Sequence, residues 1–235
     1  MSALTIQNLQ FKYNGSAEFK LTIDELNINQ GDHLFIDGPS GVGKTTLLNL
    51  ITGLLTPSNG QIDILGTNIH RLSAIKQDAF RADHFGIIFQ LFNLLPYLSV
   101  KDNILLPCAF SKQKKQHAMA MTGALDQTAM QLCTQLNLPT HALTIPVQEL
   151  SIGQQQRVAI ARALIGSPKI IIADEPTAAL DNHNKQQFIA TLLAECERSK
   201  TTLVFVSHDE TLKSHFNHHY QLTTSNKRDA SHVLV

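Results

Sequence analysis

The sequence predicts an α/β fold with a parallel-sheet core, an N-terminal antiparallel β subdomain and an inserted α-helical subdomain. Continuous apolar runs at His33–Ile36, Gly86–Phe89, Ile170–Ala173 and Thr202–Val206 suit parallel strands covered on both faces. The first thirty residues differ. Leu4, Ile6 and Leu9 lie near Phe11 and Tyr13, and after a turn at Asn14-Gly15-Ser16 the apolar residues Phe19, Leu21 and Ile23 recur at period two. Between about residue 92 and residue 165 strand runs vanish and helical patterns dominate, with breaks expected at Pro96, Pro107, Pro139 and Pro146.

Taken in order, the buried strand His33–Asp37 leads into a Gly-rich loop. A helix from Thr45 to Gly53 follows, with Leu47, Leu48, Leu50 and Ile51 inward. Pro57-Ser58-Asn59-Gly60 reads as a turn before a short strand at Gln61–Leu65. The later strands end in polar residues: Gln90, then Asp174-Glu175, then Ser207-His208. In open α/β sheets ligands bind outside the carboxyl ends of the strands, so strands joined to the loop-bearing one would turn these residues toward its ligand. Leu150–Arg157 opens another helix. Ser151 is its N-cap, Gln154 completes a capping-box pattern, and the apolar stripe through Ile165 stops at Gly166 with Pro168 just after. Such a helix start offers free N–H groups and a positive dipole end to an anion. A short helix after His208 and a weakly ordered polar end at Ser225–Arg228 complete the chain.

Gly38-Pro39-Ser40-Gly41-Val42-Gly43-Lys44-Thr45 matches GxxxxGK[ST] between a strand and a helix, the P-loop pattern. Its glycines let backbone N–H groups wrap phosphates, Lys44 reaches the β and γ oxygens, and the Thr45 hydroxyl ligands Mg²⁺. Asp174 would hold Mg²⁺ directly or through water, and Glu175 would polarise an attacking water as general base.

Composition limits the partners. Lys+Arg and Asp+Glu are both 19 in 235 residues, so no bulk positive charge supports a nucleic-acid surface, and no nucleic-acid partner is expected. Lys112-Gln113-Lys114-Lys115 reads as a solvated charge run on a loop. His215, His218 and His219 lack a nearby Cys or carboxylate and read as surface residues rather than a metal cluster. Apolar runs too short for a bilayer, an N-terminus unlike a secretory signal, and three scattered cysteines (Cys108, Cys133, Cys196) suggest a soluble intracellular protein with reduced thiols.

With these motifs in place, the chain resembles the nucleotide-binding subunit of ATP-binding-cassette (ABC) transporters over essentially its whole length. The family's parts occur in order: the P-loop, Gln90 in the Q-loop, Leu150–Gln154 as signature, Ile170–Glu175 as Walker B, Ala179-Leu180-Asp181 as D-loop and His208 as switch histidine. The stretches Phe89–Pro96 and Leu98–Ile104 look most like the branch of lipoprotein-release, macrolide-export and cell-division ATPases. The resemblance implies a P-loop NTPase (RecA-like) core and one ABC ATPase domain over 1–235. Residues 1–91 and 166–235 would form the nucleotide-binding core with the β subdomain, and 92–165 the helical signature subdomain.

It also implies a head-to-tail homodimer with ATP between subunits, each held by one P-loop, with Thr46 beside it, and by the partner's Ser151, Gly153 and Gln154. Asp181 joins the nucleotide-binding set. Tyr13 takes the place of the aromatic that stacks on adenine, with Phe11 as competitor and a core position as the alternative. Gln90 would touch Mg²⁺ or the lytic water, and His208 would bond the γ-phosphate. Phe92 to Tyr97 would line a groove for an integral-membrane permease, although Phe92 and Leu94 read equally well as core. The protein would lie on the cytoplasmic face of the cell membrane and power transport. An ATP-driven regulator of a membrane partner would carry identical residues. A soluble ABC protein acting on DNA or ribosomes fits poorly with one bare cassette. Ile152 stands where the family usually has Gly, and a first-turn position accepts it if φ is negative.

Overall fold

The computed structural model describes residues 1–13 and 20–223. Along the chain β1 (Ser2–Phe11), β2 (Leu21–Asn29) and β3 (His33–Asp37) precede α1 (Lys44–Ile51). Next come β4 (Asn59–Ile64), β5 (Thr67–Asn68), α2 (Ala74–His84) and β6 (Phe85–Ile88). Then α3 (Val100–Phe110), α4 (Lys112–Thr122), α5 (Leu125–Gln135) and α6 (Ile152–Leu164) run to β7 (Ile170–Asp174). The chain continues through α7 (Asn182–Ser199), β8 (Thr202–Val206) and β9 (His218–Gln221). The Asn14–Ser16 turn, Phe19 and the polar end Ser225–Arg228 lie outside the described residues. The chain divides into two compact units, Met1–Asp78 with the segment from Thr202, and Ala79–Thr201.

In the first unit an antiparallel sheet runs in the order β2-β1-β4-β5. Its apolar alternation changes phase between Ile6 and Leu9, and the cause is a bulge. Register with β4 shifts between Gln7 and Gln10, and Asn8 takes a left-handed φ of 49°. Gly60 lies under this bulge, where a Cβ would come within 2.3 Å of the Asn8 carbonyl oxygen. The expected turn at Asn59-Gly60 is therefore corrected. Both residues begin β4, because the bulge leaves room there only for glycine. The same unit carries β3 between β8 and β9, parallel to both, with Phe35 opposite Phe205 and His219. All residues of β3 and β8 are buried, as continuous apolar runs require. Phe35, Phe205 and Phe216 form one aromatic cluster with centroids 5.2–6.0 Å apart. After His208 the short helix is a 3-10 segment, Glu210–His215. His218 and His219 are half-buried members of β9 rather than plain surface residues. His218 lies 3.4 Å from Asp32, and His219 Nε2 lies 2.9 Å from the Lys213 carbonyl.

In the second unit β6 pairs with β7 in parallel, Ile88 opposite Ala173. Helices α3 to α6 lie between these strands in sequence. Pro107 sits inside α3 and does not end it, which corrects the expected break. A proline in the last turn removes one N–H, yet the Pro107 carbonyl still accepts from Ser111 N at 3.1 Å. Lys112–Lys115 is likewise no loop but the start of α4, because Ser111 caps it by accepting from Lys114 N at 2.9 Å. Lys114 is buried, its Nζ donating to the Phe85 carbonyl at 2.6 Å. The three cysteines are free and buried. Burial raises the Cys133 thiol to about 11 and Cys196 to about 12. No helix of the described residues is long and apolar enough to cross a membrane.

Burial lowers the Lys114 ammonium from its ordinary 10.5 to about 8. Folding therefore disfavours the charged form. The penalty is fully present below pH 8 and is relieved as pH rises toward 10.5, where the unfolded chain still binds the proton. Denaturant unfolding of the native chain and of Lys114→Met should show the native chain gaining on the variant from pH 8 to 10, by about 3 kcal/mol at full relief. A pH-independent difference would show that Lys114 does not titrate in the fold.

Candidate functional site

The phosphate loop grows out of β3, whose last residue, Asp37, is buried at the strand's carboxyl end. Gly38, Gly41 and Gly43 have φ of 151°, 79° and 111°, values that side-chain-bearing residues rarely adopt. Gly43 is the N-cap of α1 and supplies no side-chain cap, so no capping side chain occupies the positive end of the helix dipole. Lys44 is buried and folds back over the loop, donating to the carbonyls of Gly38 at 2.8 Å and Pro39 at 3.2 Å. Pro39, Ser40 and Thr45 are exposed, while Val42 packs inward.

Tyr13 and Phe11 differ in exposure. Phe11 is buried and Tyr13 is 42% exposed, the rings meeting edge-on at 4.8 Å. The Tyr13 hydroxyl and the Thr46 hydroxyl share a 3.0 Å hydrogen bond. Thr46 thus commits its side chain to the aromatic beside the P-loop, a link that no local pattern announces. At the same sheet end, Ser207 N donates to the Ile36 carbonyl at 3.1 Å, and exposed His208 follows directly. Parallel pairing therefore places the P-loop and His208 beyond neighbouring strand ends.

In the second unit the in-register pair β6–β7 delivers Gln90 and Asp174-Glu175 at one carboxyl end. Gln90 is exposed, whereas Asp174 and Glu175 are half-buried. Glu175 has a left-handed φ of 48°, and its carbonyl accepts from Ala178 N at 3.1 Å in a tight turn. Strained backbone of this kind concentrates at functional sites. Asp181 is the N-cap of α7, accepting from Asn184 N at 2.9 Å, and that bond holds its carboxyl below the usual range. Phe92 is buried core, Leu94 is half-buried, and Leu91 and Tyr97 are exposed.

Helix α6 starts as its sequence predicts. Ser151 Oγ accepts from Gln154 N at 3.3 Å, and Gln154 Oε1 accepts from Ser151 N at 3.0 Å. Ile152 occupies the first helical position with negative φ and is 62% exposed, so its β-branched side chain fits without strain. A Cβ added at Gly153 would meet nothing within 4 Å. Sequence reasoning passes over Arg162, a buried cation near the end of the same helix. Its signal is a charge set among Val158, Ala161 and Ile165 on an apolar stripe.

A family model described as ABC transporter matches residues 21–178, more than half of the chain. The chain belongs to the ABC transporter family. The lipoprotein-releasing system ATP-binding protein LolD of Bacteroides fragilis is 40% identical over 198 residues, covering 84% of this chain and 88% of LolD. The macrolide export ATP-binding/permease protein MacB of Photorhabdus laumondii is 37% identical over 208 residues, covering 88% of this chain but 31% of MacB. A solved dimeric ATP-binding cassette, in a post-hydrolysis state bound to ADP and Pi, aligns with a TM-score of 0.74 at 31% identity over 94% of each chain. This ABC cassette accordingly has the P-loop NTPase fold, binds ATP and is an ATPase.

Tyr13→Phe removes only the hydroxyl bond to Thr46, whereas Tyr13→Ala removes the ring. If the ring stacks on the base, Tyr13→Ala should weaken ATP binding roughly tenfold or more while Tyr13→Phe changes it little. Equal losses in a fluorescent-nucleotide titration would remove Tyr13 from the base site.

Proposed function

We propose that this chain is the ATP-hydrolysing subunit that powers a membrane transporter, acting as a head-to-tail homodimer with ATP between the subunits. The observation that carries this reading is the start of α6. Its capping box is intact, Ser151 and Ile152 at its start are exposed, and Gly153 answers no steric need within its own subunit. A glycine with open space around its missing Cβ is explained by close approach of something outside the chain. The partner's ATP fits that description, since one subunit supplies a P-loop and the other a helix N-terminus. The dimeric cassette that aligns with this chain supports the assembly.

Within that dimer the loop amides from Gly38 to Thr45 and the Lys44 ammonium hold the β and γ phosphates, and Tyr13 stacks on adenine. Thr45, Asp174 and Gln90 offer hard oxygen donors, a set that suits Mg²⁺, which would neutralise charge on the phosphates. Glu175 accepts the proton of the attacking water, His208 bonds the γ-phosphate, and Asp181 faces the partner's site from the start of α7. ATP binding closes the dimer, and hydrolysis reopens it. The chain forms a single cassette in which 92–165 is the helical subdomain. It works on the cytoplasmic face of the membrane, and exposed Leu91 and Tyr97 contribute to the permease groove. The fusion of ATP-binding and permease parts named for MacB supports a permease partner here. Transport by the reconstituted complex separates this reading from a regulator that only transmits force.

Glu175→Gln should abolish turnover, retain ATP binding and trap a dimer in size-exclusion chromatography with ATP; undiminished hydrolysis would remove Glu175 as the base. Ile152→Gly should lower stability by about 0.5 kcal/mol, since glycine costs about 1 kcal/mol against alanine in a helix and isoleucine already carries part of that. It should leave hydrolysis within about twofold, because the phosphate-facing Ser151 and Gly153 are unchanged. A large gain in rate would instead mark Ile152 as an impairment.

A further inference from the structure

Arg162 is 8% exposed, and among the described residues no carboxylate pairs with its guanidinium. Burial lowers its pKa, so the charge is held in an unfavourable place. An arginine in the last turn of a helix ordinarily serves the helix's own carbonyls or dipole. This one does neither with its hydrogen bonds. Nη1 donates to the Asn93 carbonyl at 2.7 Å, and Nη2 donates to the Phe92 carbonyl.

Those two acceptors are consecutive. In an extended chain successive carbonyls point to opposite sides, so one planar fork cannot take both. Here Phe92 and Asn93 have φ of 59° and 46°, and the curled backbone turns both carbonyls to the guanidinium. A left-handed asparagine is tolerated, but a left-handed phenylalanine is uncommon and persists only where its surroundings over-determine it. The surroundings are Arg162, the buried Phe92 ring, and two turn bonds: Phe92 N to the Phe89 carbonyl at 2.9 Å and Asn93 N to the Leu91 carbonyl at 2.7 Å. Gln90 is a central residue of the first turn. Asn103, fully buried, pins the far side of the loop through the backbone N–H and carbonyl of Leu95.

We propose that Arg162 is a positioning residue for ATP hydrolysis: its fork fixes the left-handed Phe92-Asn93 turn and thereby sets Gln90. The proposal rests on the reading of Gln90 at the reaction centre. It also gives α6 two ends with work to do. Ser151 caps one end, and Arg162 grips the Gln90 loop eleven residues on, roughly 16 Å along the same rod.

The test is a mutant cycle on the full chain, with steady-state ATPase kinetics and thermal unfolding. Arg162→Lys keeps the charge but cannot hold two carbonyls in a fixed plane. It should lower kcat about tenfold or more while KM for ATP stays within about twofold, since the P-loop is untouched. Gln90→Ala should also lower kcat, and the double variant should be no slower than Gln90→Ala alone. A native kcat in Arg162→Lys, or a double variant slowed by the product of the single effects, overturns the proposal; the latter is what a merely structural arginine gives. Native kcat in Gln90→Ala instead overturns the reading of Gln90 and the proposal that rests on it. Should Arg162→Lys fail to fold, Asn93→Val keeps the arginine but opposes the left-handed turn. It should reproduce the fall in kcat and its loss in the Gln90→Ala background, and a native rate there overturns the proposal equally.

Discussion

The in-register parallel pairing of β3 with β8, Phe35 opposite Phe205, places two chemically different segments side by side although they are far apart in sequence. A parallel ladder runs every strand the same way, so all chain exits of one kind gather at one edge. Burial on both faces fixes the register, because a slip by one residue would exchange the faces on which Phe35 and Phe205 pack. The same logic holds for β6 and β7, where Ile88 opposite Ala173 leaves Gln90 and Asp174 just beyond the ladder. The polar residues at the strand ends need no local design of their own; the apolar runs behind them set where they emerge.

Backbone conformation then refines what the sheet positions coarsely. Glycines at 38, 41 and 43 give the P-loop its curvature without strain, while Glu175, Phe92 and Asn93 hold left-handed φ as non-glycine residues. The latter require support from outside their own segment. At Phe92 and Asn93 that support includes a charged group from another helix, so local shape there depends on tertiary packing.

How much of this is legible in the sequence follows from how local each signal is. The P-loop, the apolar strands and the Ser151–Gln154 capping box are complete within a few residues, and the structure repeats them within a residue or so. The phase change of β1 is not, because the bulge at Asn8 depends on Gly60 some fifty residues later. Lys112–Lys115 looks like a solvated run because charge outweighs the single cap at Ser111, and nothing nearby shows that the Phe85 carbonyl waits for Lys114. Pro107 reads as a breaker since a sequence cannot say that only one turn of helix remains. The Tyr13–Thr46 bond and the grip of Arg162 are contacts between distant segments, and only residue type hints at them.

The cysteines carry a last consequence. With Cys133 and Cys196 raised to about 11 and 12 by burial, almost no thiolate exists near neutral pH. Thiolate is the species that attacks disulfides and meets oxidants first, and these sulfurs are also sterically shielded. Burial thus keeps these two sulfurs out of thiol–disulfide exchange with the glutathione pool, and their place in the fold is one of packing rather than redox chemistry.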